Sequence, residues 1–211
     1  MKAQRNSLRR DRAAGGALAV LAILLLAPPL LTACGGSAPT GGSGPPAGTP
    51  AGQATTAAPP STAATITVRS LAFAAGATIP ARFSCRGSNT PVPLTWTGIP
   101  AGAASVALIM DDPDAPSGTF THWVVFNLPA TSRGITNGHL PAGAAQAQNG
   151  RGQAAYTGPC PPSGTHHYRF TVYAEPERLP LRAGAPLPAA LAAITANPLS
   201  AGRLTGLFAS G

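Results

Sequence analysis

Val106-Ala107-Leu108-Ile109-Met110-Asp111-Asp112-Pro113-Asp114-Ala115-Pro116 is an apolar run that ends in three closely spaced carboxylates, and Thr121-His122-Trp123-Val124-Val125-Phe126 soon turns apolar again. Short apolar runs bounded by breakers suit strands covered on both faces. Pro113 and Pro116 fix the backbone around Asp114 and stop the first run from continuing as a strand. The whole chain has only six Asp and Glu residues, so half of its acids crowd onto one strand end. The stretch reads as a rigid acidic rim closing a buried strand, with His122 within reach. That is the shape of a polar binding site.

Working outward, Thr65-Ile66-Thr67-Val68 alternates apolar and polar residues, and so does Tyr168-Arg169-Phe170-Thr171-Val172-Tyr173, as half-buried strands do. Proline and glycine punctuate nearly every gap. Pro188 to Asn197 reads as a helix: Leu191 and Ile194 give it an apolar face, Pro188 opens it and Pro198 ends it. A second helical turn is expected around Ser200 to Leu204. The predicted fold is mainly β, an antiparallel sandwich or partly closed barrel with one or two short C-terminal helices. Residues 65–211 have the size of one domain with a single core.

The N-terminus reads as an address. Lys2, Arg5, Arg9, Arg10 and Arg12 precede an apolar run from Ala17 to Ala27, and Leu31-Thr32-Ala33-Cys34 follows. A basic start, a short apolar core and small residues before a cut describe an export signal. The run is too short, and too interrupted by Pro28 and Pro29, for a comfortable spanning helix. Leu-Thr-Ala-Cys resembles the bacterial lipobox, so residues 1–33 are expected to be a lipoprotein signal peptide. Cys34 is then acylated and anchors the exported chain to the outer side of the cell membrane. Residues 34–64 are almost entirely Gly, Pro, Ala, Ser and Thr; such a segment cannot offset its ordering entropy and is predicted to be a tether.

The formal charge of +8 therefore misleads, because five of the fourteen bases and one acid precede residue 34. The remaining bases are spread thinly, without the clustered footprint of a nucleic-acid binder. No lysine follows Lys2, which removes Schiff-base chemistry. Cys85 and Cys160 are the cysteines left once Cys34 is acylated, and an even pair in an exported domain favours a disulfide. The alternative is one buried and one exposed thiol.

The second half of the site is Gly158-Pro159-Cys160-Pro161-Pro162-Ser163-Gly164-Thr165-His166-His167-Tyr168. Its prolines and glycines predict a stiff loop, with room for a cis X-Pro bond. The loop leads into a strand that carries His166 and Tyr168 on one face and His167 on the other. With Cys85 to Trp96, Asp111 to Pro116, His122-Trp123-Val124, Tyr156 to Tyr168 and Leu199 to Phe208 in this order, the chain resembles the phosphatidylethanolamine-binding protein family. That family is also called Raf kinase inhibitor-like, and the likeness is to its bacterial exported branch of the YbhB/YbcL type.

The resemblance implies a Greek-key fold of two antiparallel sheets with a small preformed anion pocket for phosphate, phosphorylated head groups or similar anions. Carried over by position, Asp112, Asp114, Pro116, His122, Gly158, His166 and Tyr168 are the ligand-binding candidates. His122 and His166 would donate N–H bonds, with the carboxylates favouring imidazolium, and N–H groups of the glycine-rich turn would add contacts. Asp112 or Asp114 would orient a histidine or meet an ammonium. The rim departs from the family pattern: Arg86 replaces an Asp, His167 an Arg, Phe208 an aromatic hydroxyl, and Asn149-Gly150-Arg151-Gly152 lacks the usual acid.

Plainer readings stand beside these. Asp111 reads as a strand-end residue, Asp112 and Asp114 could simply accept turn N–H bonds, and Trp96 and Trp123 read as core. Two histidines and two aspartates could ligate zinc, but not at the usual short spacing, and no metal or cofactor is expected. No Gly-x-Ser-x-Gly elbow is present, so an enzyme is not expected, and a weak hydrolase using His122 or His166 as general base is the remaining catalytic reading. The function expected is a membrane-anchored binding protein for a small anionic or phosphorylated ligand, such as a phospholipid head group. The alternative is a kinase-inhibitor-like regulator reading a phosphorylated or acidic protein partner.

Overall fold

The computed structural model describes residues 65–136 and 138–211. The expected signal peptide, Cys34 and the tether lie outside them. Eight strands, one single-turn 3-10 helix and one α-helix follow in the order β1 (Thr67–Arg69), the 3-10 turn (Ala81–Phe83), β2 (Leu94–Thr97), β3 (Ser105–Asp112), β4 (Phe120–Pro129), β5 (Gly134–Ile135), β6 (Ala145–Gln146), β7 (Thr165–Glu175), α1 (Leu187–Thr195) and β8 (Ser200–Ala209). A small sheet runs β1-β2-β5 and a large one β6-β4-β3-β7-β8, with every strand pair antiparallel.

The large sheet is covered on both sides, which is why β3 and β4 are continuously apolar. Val106, Leu108 and Met110 of β3 face a core shared with the small sheet, while Ala107 and Ile109 face a second cluster with Ala190 and Ile194 of α1. On β4, Trp123 and Val125 join the first cluster, and Val124 and Phe126 the second. Trp96 and Trp123 are both buried.

The expected helix is present at slightly shifted bounds, with Leu187 and Pro188 opening it and Pro198 following it. The second turn expected at Ser200 to Leu204 is instead the start of β8, which pairs with β7 along its whole length, from Thr165 opposite Ala209 to Ala174 opposite Ser200. A long ladder outweighs a local helical preference. Gly202 and Gly206 make room for it: a Cβ on Gly202 would run into the Ile66 carbonyl, and one on Gly206 would meet Phe73 and Ile79. All X-Pro bonds among the described residues are trans, so the loop before β7 has no cis bond.

Candidate functional site

The acidic rim sits where β3 ends beside the start of β7, and strand alternation sorts its three carboxylates. Asp111 is paired in register with Arg169, on the sheet face away from Tyr168, and its two oxygens take guanidinium bonds of 2.7 and 2.8 Å. Asp112 falls on the opposite face. Its Oδ2 accepts from His166 Nδ1 at 2.7 Å, and its Oδ1 accepts the Asp114 backbone N–H at 2.9 Å. Asp114 accepts from both the backbone N–H and Nδ1 of the exposed His167, at 2.7 and 2.8 Å. Those bonds pull the Asp114 carboxyl below its ordinary value. Each carboxylate is thus engaged by one of three residues of β7.

His122 reaches the site through a β-bulge. Met110 is opposite Trp123 and Asp111 is opposite Thr121, so His122 is an extra residue in β4. A bulge re-aims the side chain it carries. In regular alternation His122 would share the Val124 face toward α1; instead its ring meets Tyr168 edge-on, with centroids 5.2 Å apart, on the face of the first core. Its Nδ1 donates to the Thr157 carbonyl at 2.8 Å. The ring is therefore held in the Nδ1–H tautomer. Burial is the main influence on its pKa and lowers it, outweighing the opposing bond to Thr157 and the nearby Asp112 charge. This reverses the expectation of a resting imidazolium: uncharged His122 presents Nε2 as an acceptor.

Asp112, His122, Gly158 and His166 line a cavity of about 160 Å³ together with Ala115, Phe120, Arg151, Cys160 and Pro162. Both imidazoles spend Nδ1 on the protein and keep Nε2 for the cavity. Three sequence candidates fall elsewhere. Asp114 and Pro116 are exposed in the turn after β3 and do not line the cavity. Tyr168 is fully buried behind His122, and burial first, then the nearby Asp112 charge, push its hydroxyl pKa upward. Tyr168 forms the wall rather than the lining.

Gly158 lines the cavity for a steric reason. A Cβ there would lie 2.3 Å from the Phe83 carbonyl oxygen and 2.6 Å from Asn89 Oδ1. Its N–H donates to that Asn89 oxygen at 2.8 Å, so it is not available to an anion as expected. Cys85 and Cys160 are disulfide-bonded beside it, with Cα atoms 5.5 Å apart.

Arg151 was not among the sequence candidates. It stands in a loop organised by the buried Asn149, whose Oδ1 accepts from the N–H groups of Arg151 and Gln153 and whose Nδ2 donates to the Ala155 carbonyl and Thr157 Oγ1. The Arg151 guanidinium is exposed and makes no ion pair among the described residues. The signal was present in the sequence: a lone base between glycines, one residue after the place where the related pattern carries an acid. A larger groove of about 570 Å³ runs along Thr67 to Ala75, but it has no histidine or carboxylate in its lining.

Comparison with known proteins follows the same lines. The phosphatidylethanolamine-binding protein family profile matches residues 69–209. A Mycobacterium tuberculosis protein named as lipoprotein LppC is 46% identical over 148 residues, covering 69% of this chain and 73% of its own. Among solved structures, the PEBP homologue CT736 of Chlamydia trachomatis superposes with a TM-score of 0.66 at 31% identity, over 70% of this chain and 99% of its own. YbcL of E. coli, described as a member of the mammalian PEBP family, gives 0.65 at 32% identity, over 69% of this chain and 99% of its own.

Proposed function

The chain belongs to the phosphatidylethanolamine-binding protein family, and from that premise we propose that its domain captures a small anion, inorganic phosphate or a phosphorylated head group, between His122 and His166. One observation supports this most: the cavity holds two imidazole Nε2 atoms and one unpaired guanidinium, while its only carboxylate is already engaged by His166 and the Asp114 N–H. A cavity whose acid is already hydrogen-bonded within the protein and whose free base is Arg151 favours negative charge. The resemblance of residues 31–34 to a lipobox, and the lipoprotein name of the mycobacterial relative, support anchoring through Cys34, with residues 34–64 as the tether.

Calorimetric titration of the purified chain with phosphate tests the reading. His166→Ala is expected to weaken binding at least tenfold, by removing a charge-assisted hydrogen bond of about 1.5–3 kcal/mol. No binding to the unaltered chain, or equal binding by the variant, would overturn the proposal.

The pH dependence has a definite sign. His122 rests uncharged because burial lowers its pKa below 6.5, and a bound anion raises that pKa by favouring imidazolium. Binding therefore takes up a proton, and affinity falls as pH rises from the free-state value through the bound-state value. Sulfate, which does not titrate near neutrality, is the probe. Its affinity is expected to drop by up to about tenfold per pH unit within that window, and His122→Phe should flatten the slope. A flat profile for the unaltered chain would exclude proton uptake.

A further inference from the structure

The cavity between the histidines is not isolated. A second concavity, of about 200 Å³, adjoins it and shares Arg151, Gly158 and Cys160. Beyond them it is lined by uncharged polar groups: Asn89, Gln153 and Thr157. Their bonding leaves a defined set of free functions. Asn89 gives its Oδ1 to the Gly158 N–H and keeps its amide Nδ2. Thr157 accepts from Asn149 Nδ2 through Oγ1 and keeps its hydroxyl hydrogen. Gln153 uses only its backbone in holding the loop and keeps its whole side-chain amide.

The second concavity therefore offers several donors, one amide acceptor, one shared guanidinium and no carboxylate. A ligand ammonium would find no counter-charge there. The nearest acids face elsewhere: Asp112, in the adjoining cavity, accepts from His166 and the Asp114 N–H, and Asp114 accepts from His167 outside the cavity. Hydroxyl groups, which both donate and accept, match an amide, a hydroxyl and a guanidinium well. The room also fits: 200 Å³ equals the share of about six or seven liquid waters, enough for a short polyol.

Resting on the anion reading above, we propose that the site selects a phosphate ester of a polyol, a glycerophosphate-type group, over an aminoalkyl phosphate. The phosphate sits between His122 and His166, Arg151 spans both cavities, and the hydroxylated part lies against Gln153, Asn89 and Thr157.

Calorimetry on the purified full-length chain in detergent separates this from the parent reading. Phosphate is the base ligand; glycerol 3-phosphate and phosphoethanolamine are compared with it. Glycerol 3-phosphate is expected to bind about tenfold or more tightly than phosphate, and phosphoethanolamine no more tightly than phosphate. Gln153→Leu is expected to weaken glycerol 3-phosphate by about threefold to tenfold, the worth of one hydrogen bond, while leaving phosphate unchanged. Arg151→Gln should weaken both.

Phosphate binding with no gain from the glycerol moiety, or a gain with phosphoethanolamine instead, overturns this inference and leaves the anion reading intact. Absence of all binding overturns both. Phosphatidylglycerol vesicles that displace glycerol 3-phosphate would identify a lipid head group as the source; vesicles that fail to displace it would identify a soluble ester. Either result keeps the polyol-phosphate selectivity.

Discussion

Replacing Cys85 and Cys160 together by serine is expected to destabilise the domain by about 4 kcal/mol, from the entropy that cross-linking removes from an unfolded loop of this length. The bonded cysteines are 75 residues apart in sequence, so the bridge closes a loop spanning about half of the domain. Natural domains are stable by only about 5–15 kcal/mol, and the loss would be a large share of that. Urea unfolding measured with and without reductant checks it: the midpoint of the unaltered chain should fall on reduction to that of the double variant. A shift below about 1 kcal/mol would mean that the unfolded chain is already constrained there, against the entropic account.

The same variant separates stability from site geometry. The bridge is not the only link between the turn after the 3-10 helix and the loop before β7. The Cys85 N–H donates to the Pro159 carbonyl at 3.1 Å, the Tyr156 hydroxyl to the Phe83 carbonyl at 2.8 Å, and the Gly158 N–H to Asn89 at 2.8 Å. These bonds hold the cavity wall without the sulfurs. Phosphate affinity of the folded double variant is therefore expected within about threefold of the unaltered chain, less than the loss of one net hydrogen bond. Loss of binding in a still-folded variant would show that the disulfide itself shapes the cavity.

What the sequence disclosed depends on how local its cause is. The apolar runs of β3 and β4 announced strands covered on both faces because each residue's environment repeats with the pleat, and residues 106–110 supply both clusters in turn. The same period placed His166 and Tyr168 together and His167 opposite. β8 was hidden because its meaning is tertiary: Gly202 and Gly206 are there for the close approach of Ile66 and Ile79, and in isolation such a segment reads as a weak turn.

In the site, the acidic cluster and both histidines were legible as a group, yet their division of labour was not. His122 faces the cavity only because a bulge adds one residue opposite the end of β3, and a bulge carries no composition of its own here. Asp114 and Pro116 share the motif with Asp112 but lie beyond the strand end, where the turn carries them to solvent. Arg151 depends on Asn149 folding a loop back onto β4, where the Gly150 N–H meets the Thr121 carbonyl at 2.8 Å and the Thr157 N–H meets that of His122 at 3.0 Å. No spacing rule reports such a return.

Asp112 is where fold and site meet, and Asp112→Ala is expected to cost about 3 kcal/mol of stability together with most of the phosphate affinity. The variant leaves the His166 Nδ1–H and the Asp114 N–H without their acceptor, at about 1–3 kcal/mol for each buried donor. Asp112→Asn divides the two effects. Its amide oxygen can still accept the Asp114 N–H, and its NH₂ can donate to His166 Nδ1, so stability should fall by only about 1 kcal/mol.

The imidazole tautomer must then reverse, since Nδ1 changes from donor to acceptor and Nε2 takes the hydrogen. Nitrogen NMR of His166 in the free protein is expected to show a protonated Nδ1 in the unaltered chain and a protonated Nε2 in Asp112→Asn. Phosphate affinity in that variant should move with the tautomer, because Nε2, the His166 atom left for the cavity, changes its hydrogen-bonding role toward the anion. A merely structural Asp112 would lower stability without moving the tautomer. An unchanged His166 nitrogen spectrum in Asp112→Asn would therefore remove Asp112 from the positioning of His166.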